Sequence, residues 1–257
     1  VYVIPSYKRK DVLIKKTLSL LEKHKIPKND IYIFVANKQQ KKEYEEVEKM
    51  GYRLIIAKLG AVNARNFIVD YFKEGQKIVS FDDDIRELDV MVNSKKTKPL
   101  SDLKKFVNEA FNELKKNKLQ LGGIYPVNNP YFMKKTISKD LKYIAGGFFF
   151  FINDKTQKIN PEFNLGEDYA RSVKSYIKYK GVLRYNYITF RTQNYTEEGG
   201  HADARRGEIN GKTPEEISKM KLYKKYPEYI RPVEIKGRFD IRLKKMPFDK
   251  QKGGGKS

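Results

Sequence analysis

Over the first eighty residues the apolar positions follow two different periods in turn. Val1–Ile4, Ile31–Val35, Leu54–Ala57 and Ile78–Phe81 are short β-branched and aromatic runs, the pattern of buried strands. Between the first two, Leu13, Ile14, Thr17, Leu18 and Leu21 recur at three- and four-residue spacing and predict a helix over Asp11–Lys25. Pro27 and Asn29-Asp30 separate it from the second strand. Lys41–Met50 reads as a charged helix closed by Gly51, and Asn63–Phe72 as another. The resulting βαβαβαβ order predicts an α/β fold: a Rossmann-type, mainly parallel sheet with helices on both faces.

After Asp84 the rhythm changes. Residues 93–99 read as a polar loop, and Leu100–Asn117 as an amphipathic helix through Leu103, Phe106, Val107, Ala110, Phe111 and Leu114. Gln120–Tyr125 and Tyr143–Ile152 read as strands, separated by a Pro/Asn segment at Pro126–Pro130. Tyr169–Tyr179 reads as a helix and Val182–Phe190 as one or two strands. From Lys219 onward Lys, Arg, Tyr and Pro mix without a clear period. No internal repeat or interdomain linker is visible, so one domain over 1–218 with a basic extension over 219–252 is expected. Gly-Gly-Gly-Lys-Ser at 253–257 reads as a linker or expression scar.

Charge adds the next constraint. Among 257 residues, 54 Lys+Arg against 32 Asp+Glu leave +22, which draws polyanions: nucleic acid, an anionic membrane surface or phosphorylated small molecules. A Lys-rich solvated surface carries the same number without any such partner. The absence of cysteine excludes thiolate nucleophiles, disulfides and Cys-ligated zinc, and it suits an intracellular, reducing setting. Two histidines are too few for a multi-His metal site. No apolar run approaches the roughly 20 residues of a membrane span, and the sequence opens on the strand-like Val1–Ile4 with no basic-then-apolar leader in it, so neither a span nor a signal peptide is expected.

The chemistry concentrates where the fourth strand runs into Asp82-Asp83-Asp84. Ligands of parallel α/β sheets bind beyond the carboxyl ends of the strands. Asp82 and Asp84 face the same way if the extended geometry persists, and two carboxylates on one side suit Mg²⁺ or Mn²⁺. A solvated acidic turn, with Asp84 capping a following helix, is the competing reading. Gly166-Glu167-Asp168 precedes a helix, where carboxylates either cap or act as a general base. Gly199-Gly200-His201 places a histidine after a flexible pair, an ordinary loop or a ligand. His24 reads as structural. Asn63-Ala64-Arg65-Asn66 opens a helix after Gly60, where an arginine suits a diphosphate or a nucleobase as readily as plain solvent. Pro5-Ser6-Tyr7-Lys8-Arg9 follows the first strand and lies at the same edge. Gly146-Gly147 permits either a close ligand approach or a bulge.

Taken in order, these segments resemble a GT-A glycosyltransferase, whose nucleotide-binding half ends in a DxD motif. More narrowly, Val3-Ile4-Pro5-Ser6-Tyr7-Lys8-Arg9, Phe81-Asp82-Asp83-Asp84-Ile85, Gly123-Ile124-Tyr125-Pro126-Val127-Asn128-Asn129-Pro130 and Gly166-Glu167-Asp168-Tyr169 resemble the TET/JBP-associated glycosyltransferases. The resemblance covers Val1 to about Arg191, and the Tyr-Pro-Val-Asn-Asn-Pro run is its most specific part. It implies a nucleotide-sugar-binding half over 1–92 and an acceptor half over 93–218. It implies Mn²⁺ or Mg²⁺ at Asp84, with Asp82 or Asp83 at the donor ribose or metal waters, and His201 as a late metal or diphosphate ligand. Pro5, Ser6, Tyr7, Arg9, Asn63, Arg65, Gly146 and Gly147 would line the donor. Asp168, with Glu167, would face the acceptor. The implied activity moves a sugar, from a UDP-sugar, onto a hydroxymethylated pyrimidine in DNA, within the cytoplasm (a host's, for a phage or virus). A GT-A enzyme acting on glycans, a metal-dependent phosphoryl-transfer enzyme and a silent DNA-binding module are the alternatives. The basic tail, with Tyr223, Tyr226, Tyr229 and Phe239 among its cations, would either stack on bases or pack onto the domain.

Overall fold

The computed structural model describes residues 1–192 and 207–249. Strands β1 (Tyr2–Pro5), β2 (Ile31–Val35), β3 (Arg53–Ile56) and β4 (Lys77–Phe81) are parallel and lie in the order β3-β2-β1-β4. The chain steps outward from β1 to β3 and then returns to the far side of β1 for β4. The loops leaving β1 and β4 therefore diverge and open a crevice at the strands' carboxyl edge.

Two expected helices are each divided. In place of one helix over 11–25, α1 (Lys10–Leu13) and α2 (Ser19–Lys23) are joined by a π-helical turn at Ile14–Leu18. In place of one helix over 41–50, α3 (Lys38–Glu43) and α4 (Glu45–Lys49) meet at Tyr44, which is 1% exposed and sends its hydroxyl toward the β1 loop. Both breaks serve tertiary contacts, and periodicity has no means of signalling them. Helix α5 (Ala61–Tyr71) falls close to its expected span.

In the second half, β5 (Glu87–Asn93) and β6 (Lys96–Pro99) form a hairpin where a polar loop was expected over 93–99. Strand β6 is the sheet's edge, and edges tolerate Lys and Pro. Helix α6 (Leu103–Lys116) buries the expected stripe, with Phe106 and Phe111 set edge-on against the Phe150 ring. Next come β7 (Leu121–Tyr125), β8 (Ile137–Ser138), β9 (Phe148–Ile152), α7 (Glu167–Tyr179) and β10 (Leu183–Arg191). The full order is β3-β2-β1-β4-β9-β7-β10-β5-β6, with β8 beside β10. Strand β9 is antiparallel to both β4 and β7, and β10 is parallel to β7. Hence β4, β7 and β10 all end at the same edge.

The tail is ordered where the sequence showed no period. Helix α8 (Pro214–Lys225) starts on a capping box between Thr213 and Glu216, and β11 (Ile230–Ile235) pairs with β12 (Arg238–Leu243). Helix α8 buries only Ser218 and Leu222, too few positions to make a stripe. Leu222, Ile230 and Ile241 share a core with Ala170, Val173 and Tyr176 of α7, and Tyr223, Tyr226, Tyr229 and Phe239 pack against it. The tail aromatics therefore pack the tail onto the domain. No described helix is long and apolar enough to cross a membrane.

Candidate active site

The loops after β1 and β4 are tied by a directed chain of hydrogen bonds. Ser6 Oγ donates to Asp83 Oδ2 at 2.7 Å, so Tyr44 OH must donate to Ser6 Oγ at 2.8 Å, and Arg9 N–H donates to Tyr44 OH at 2.8 Å. Arg9 Nη1 also donates to Asp83 Oδ1 at 3.1 Å and lies 3.6 Å from Asp84 Oδ2. Both oxygens of Asp83 are thus engaged inside the fold, and its side chain is only 7% exposed. From the π turn, Thr17 Oγ1 donates to Asp82 O at 2.8 Å and accepts from Ile85 N at 3.0 Å, clamping the aspartate loop from below. Such turns recur at functional sites.

On the other side of the crevice Arg65 gathers carboxylates from two elements. Its Nη2 donates to Asp82 Oδ1 at 2.8 Å, and its Nε lies 3.1 Å from Glu167 Oε1. Glu167 Oε2 lies 3.1 Å from Arg171 Nη2, and both guanidinium groups sit over the Phe149 ring, at 5.2 and 4.0 Å. Asp168 does not cap α7. Its Oδ2 accepts from Tyr143 OH at 2.9 Å and from Gly146 N at 3.0 Å. A Cβ on Gly146 would lie 2.8 Å from Asp168 Oδ1 and 3.0 Å from Arg65 Nη1, so the chain passes here only without a side chain. Tyr143–Gly147 is accordingly a loop, although a strand was expected over 143–152, because its amides turn toward α7: Ile144 N donates to Ser172 Oγ.

Burial dominates the electrostatics. It raises Asp82, although that side chain keeps 40% of its surface open, with Arg65 opposing and Asp84 adding to the rise. It pushes Asp83 up to about 6 against the pull of Arg9 and Ser6. Burial would lower Arg65, yet Glu167, Asp82 and Asp168 hold it above its ordinary value. Tyr143 is raised well above the usual phenol by burial and by Asp168. Arg65 Nη1, Asp168 Oδ1 and Arg171 Nη1 are shut from solvent without an aligned hydrogen-bond partner. Asp168 Oδ1 and Arg171 Nη1 nonetheless lie 3.5 Å apart as an ion pair.

Of the residues singled out from sequence, Ser6, Arg9, Asp82, Asp83 and Asp84 meet at the β1–β4 crevice, and Arg65, Gly146, Glu167 and Asp168 adjoin them. Pro5 ends β1 beside Phe34, and Tyr7 lies under the Lys8 ammonium. Asn63 turns back to donate to Leu59 O. The close approach at Gly147 is made by the Phe190 ring. His201 lies outside the described residues. Thr17, Tyr44, Tyr143 and Arg171 were not anticipated; an isolated hydroxyl or an exposed-looking arginine carries no local signal of a partner far along the chain. The same holds for Asp89, 0% exposed, which Arg191 grips with Nε and Nη2 while Asn128 donates to it.

The donor set suits a hard dication. The chain turns after Phe81, so strand alternation does not carry through to Asp84, yet Asp84 bears on the Asp82 charge more than Asp83 does. Asp82 keeps 40% of its side-chain surface open and Asp84 15%. No set of three metal-ligating side chains exists among the described residues, but Mg²⁺-type sites commonly use one or two carboxylates plus substrate phosphates. Behind Arg65 and Glu167 the sheet encloses a cavity of about 60 Å³, far below the roughly 300 Å³ of a ligand pocket.

Comparison with protein-family models gives no match, and comparison with curated proteins gives none. Among solved structures, a mycobacterial protein of 9% identity aligns over 96% of this chain and 85% of its own, with a TM-score of 0.50. Glucosyl-3-phosphoglycerate synthase from Mycobacterium tuberculosis, in complex with Mn²⁺, UDP and glucosyl-3-phosphoglycerate, aligns at 8% identity over 96% and 89%, with a TM-score of 0.47. S. aureus TarS 1–349 aligns at 16% identity over 73% of this chain, with a TM-score of 0.49; the chain spans 59% of that fragment. At these identities the likeness is one of fold, and the mixed α/β architecture with a mainly parallel first half is the one expected from sequence.

Proposed function

We propose that this chain is a metal-dependent glycosyltransferase of the TET/JBP-associated kind, moving a sugar from a UDP-sugar to a hydroxymethylated pyrimidine in DNA. One observation carries the reading. Asp82, at the end of β4, is joined through a single guanidinium, Arg65, to Glu167 beside Asp168 at the start of α7. A transferase needs a cation site for the donor's diphosphate and a carboxylate for the acceptor hydroxyl in one cleft, and carboxylates from both elements adjoin here.

In this reading Asp82 and Asp84 hold Mn²⁺ or Mg²⁺, with His201 as a further ligand. The ion supplies charge neutralisation on the leaving diphosphate. The β1 loop, Pro5–Arg9, borders the donor, with Asn63 on the facing helix. Asp83 serves the fold of the loop: Ser6 and Arg9 take up both its oxygens and so aim its two neighbours. Tyr143 and Gly146 hold Asp168 by one oxygen, which fixes its direction. In an inverting transfer the acceptor oxygen bonds to the anomeric carbon, its proton passes to Asp168, and the carbon–diphosphate bond breaks. In a retaining transfer Asp168 positions the acceptor. Glu167, clamped between Arg65 and Arg171, orients rather than reacts.

The acceptor class rests on charge. On the β11–β12 hairpin the exposed Arg231 and Arg242 sit directly opposite each other, an arrangement that like charges disfavour and a polyanion relieves. Lys15, Lys16, Lys23 and Arg86 line a groove of about 500 Å³ beside the π turn. Phosphate-tracking cations give affinity that falls with salt. The test is mass spectrometry of nucleosides after incubation with hydroxymethylcytosine or hydroxymethyluracil DNA, a panel of UDP-sugars and Mn²⁺. A sugar-bearing nucleoside is expected. Cut strands would instead establish phosphoryl transfer, and sugar on glycans alone would remove DNA as the acceptor.

A further inference from the structure

Half of the large apolar side chains exposed among the described residues lie in one short stretch: Val127, Tyr131, Phe132 and Ile137, against Leu59, Tyr71, Ile209 and Ile235 elsewhere. The stretch leaves the carboxyl end of β7, two strands from the aspartate loop, or about 10 Å across the sheet. Tyr131 is 74% and Phe132 58% exposed, with ring centroids 5.1 Å apart and planes at 85°.

This turn is anchored on both sides. Asn128 donates to the buried Asp89, itself gripped by Arg191. Asn129 Oδ1 caps the turn by accepting from Tyr131 N at 3.0 Å. Met133 is 3% exposed, and Lys134 N donates to Asn186 O. A stretch so firmly tied, yet holding two aromatic rings out in water, is built to present them. The two exposed rings meet edge to face, which is poor geometry for a flat sugar platform. The exposed Lys134 and Lys135 follow immediately, so the rim is cationic.

We propose that Tyr131 and Phe132 form a wedge that enters duplex DNA beside the target pyrimidine and holds open the gap left when that base turns out toward the Asp82–Asp168 cleft. This rests on the DNA reading above and extends it. A hydroxymethyl group stacked inside a duplex cannot reach a cleft at a sheet edge, and enzymes acting on bases either flip them or use single strands. Apolar side chains inserted between base steps, with cations on the flanking phosphates, are the physical means of stabilising such an opening.

The test compares the wild-type chain with the Tyr131→Ala/Phe132→Ala double variant, whose fold is checked by thermal melting; both residues are exposed and few contacts are lost. One probe is a duplex oligonucleotide with 2-aminopurine beside a hydroxymethylated pyrimidine, whose fluorescence rises when the stack opens. The other is sugar transfer to the same oligonucleotide as a single strand, as a duplex, and as a duplex with the target opposite an abasic site. The fluorescence rise should vanish in the variant, and kcat/KM on duplex should fall about tenfold or more, with less than about a twofold change on single strands. The abasic duplex should recover most of the loss. An equal fall on single and double strands, or an unchanged duplex rate, overturns the wedge. Wild-type transfer confined to single strands overturns it too. Wild-type transfer to glycans and to no DNA overturns the acceptor reading and the wedge together. The wild type's acceptor thus judges the first claim, and the variant's duplex-to-single-strand ratio judges the second.

Discussion

Arg65 Nη2 lies 2.8 Å from Asp82 Oδ1, and this one contact joins the strand-end carboxylates to the helix that carries Asp168. The guanidinium is 11% exposed and is shared with Glu167. Removing it leaves the buried Glu167 with Arg171 alone and takes from Asp82 its guanidinium partner. Arg65→Ala should lower stability by about 3–5 kcal/mol, the usual cost of breaking a buried ion pair from one side. Arg65→Lys keeps the charge but loses the planar fork, and should restore stability better than turnover. Urea melts and steady-state kinetics on the two variants decide this; equal loss of activity and stability in both would contradict it.

Metal dependence should localise to two of the three aspartates. Mn²⁺ should raise the melting temperature of wild type, and Asp82→Asn and Asp84→Asn should each abolish that rise along with turnover. Asp83→Asn should behave differently, losing stability by about 1–3 kcal/mol because Ser6 and Arg9 lose an ionised acceptor. Scanning calorimetry with and without chelator separates the two kinds of variant.

A methyl group at position 146 should injure catalysis more than folding. The added Cβ would meet Asp168 Oδ1 at 2.8 Å, nearer than Arg65 Nη1 at 3.0 Å, and Arg65 is pinned between Asp82 and Glu167, so Asp168 is the group that shifts. Gly146→Ala should reduce kcat by on the order of 10²-fold while costing about 1–3 kcal/mol of stability. A variant with normal kcat would show that Asp168 does not need its present position.

The tail core should act on the site at a distance. Leu222 is 0% exposed and packs so closely on Gly166, just before α7, that a Cβ there would lie 2.3 Å from its Cδ1. Leu222→Ala should cost about 2–5 kcal/mol and loosen the start of α7, lowering kcat at temperatures where the chain remains folded. Hydrogen exchange at residues 167–170 reads that loosening directly.

Acid sensitivity should come in part from Asp154. Burial alone would raise its carboxyl, but hydrogen bonds from Lys178, Tyr179 and Thr156 outweigh burial and hold it down at about 2. A depressed carboxyl stabilises the fold fully above its ordinary pKa of 3.8 and loses that contribution as pH falls toward 2. The contribution is about 2 kcal/mol. In Asp154→Asn, stability measured by urea between pH 5 and pH 2 should fall less steeply than in wild type.

The first half of the chain was legible because it is local. Strands β1, β2 and β4 are almost wholly buried, and such strands announce themselves as unbroken apolar runs; β3, at the sheet's edge, keeps its run of Leu54, Ile55 and Ile56. Their order alone places the β1 and β4 loops at one edge. The edge strand β6 and helix α8 escaped notice for the opposite reason: each buries too little of itself to imprint a period.

Sequence by itself determined the parallel α/β half, the position of Asp82-Asp83-Asp84 at a strand end, and a charge that welcomes polyanions. Tertiary structure alone decided which partners the site carboxylates meet. Asp83 turns inward to Ser6 and Arg9, Asp82 meets Arg65, and Asp168 leaves its own helix end for Tyr143 and Gly146. Adjacent identical carboxylates are indistinguishable in a sequence. Partners up to 77 positions away, brought close by the β1–β4 crossover, give each one its environment and hence its chemistry.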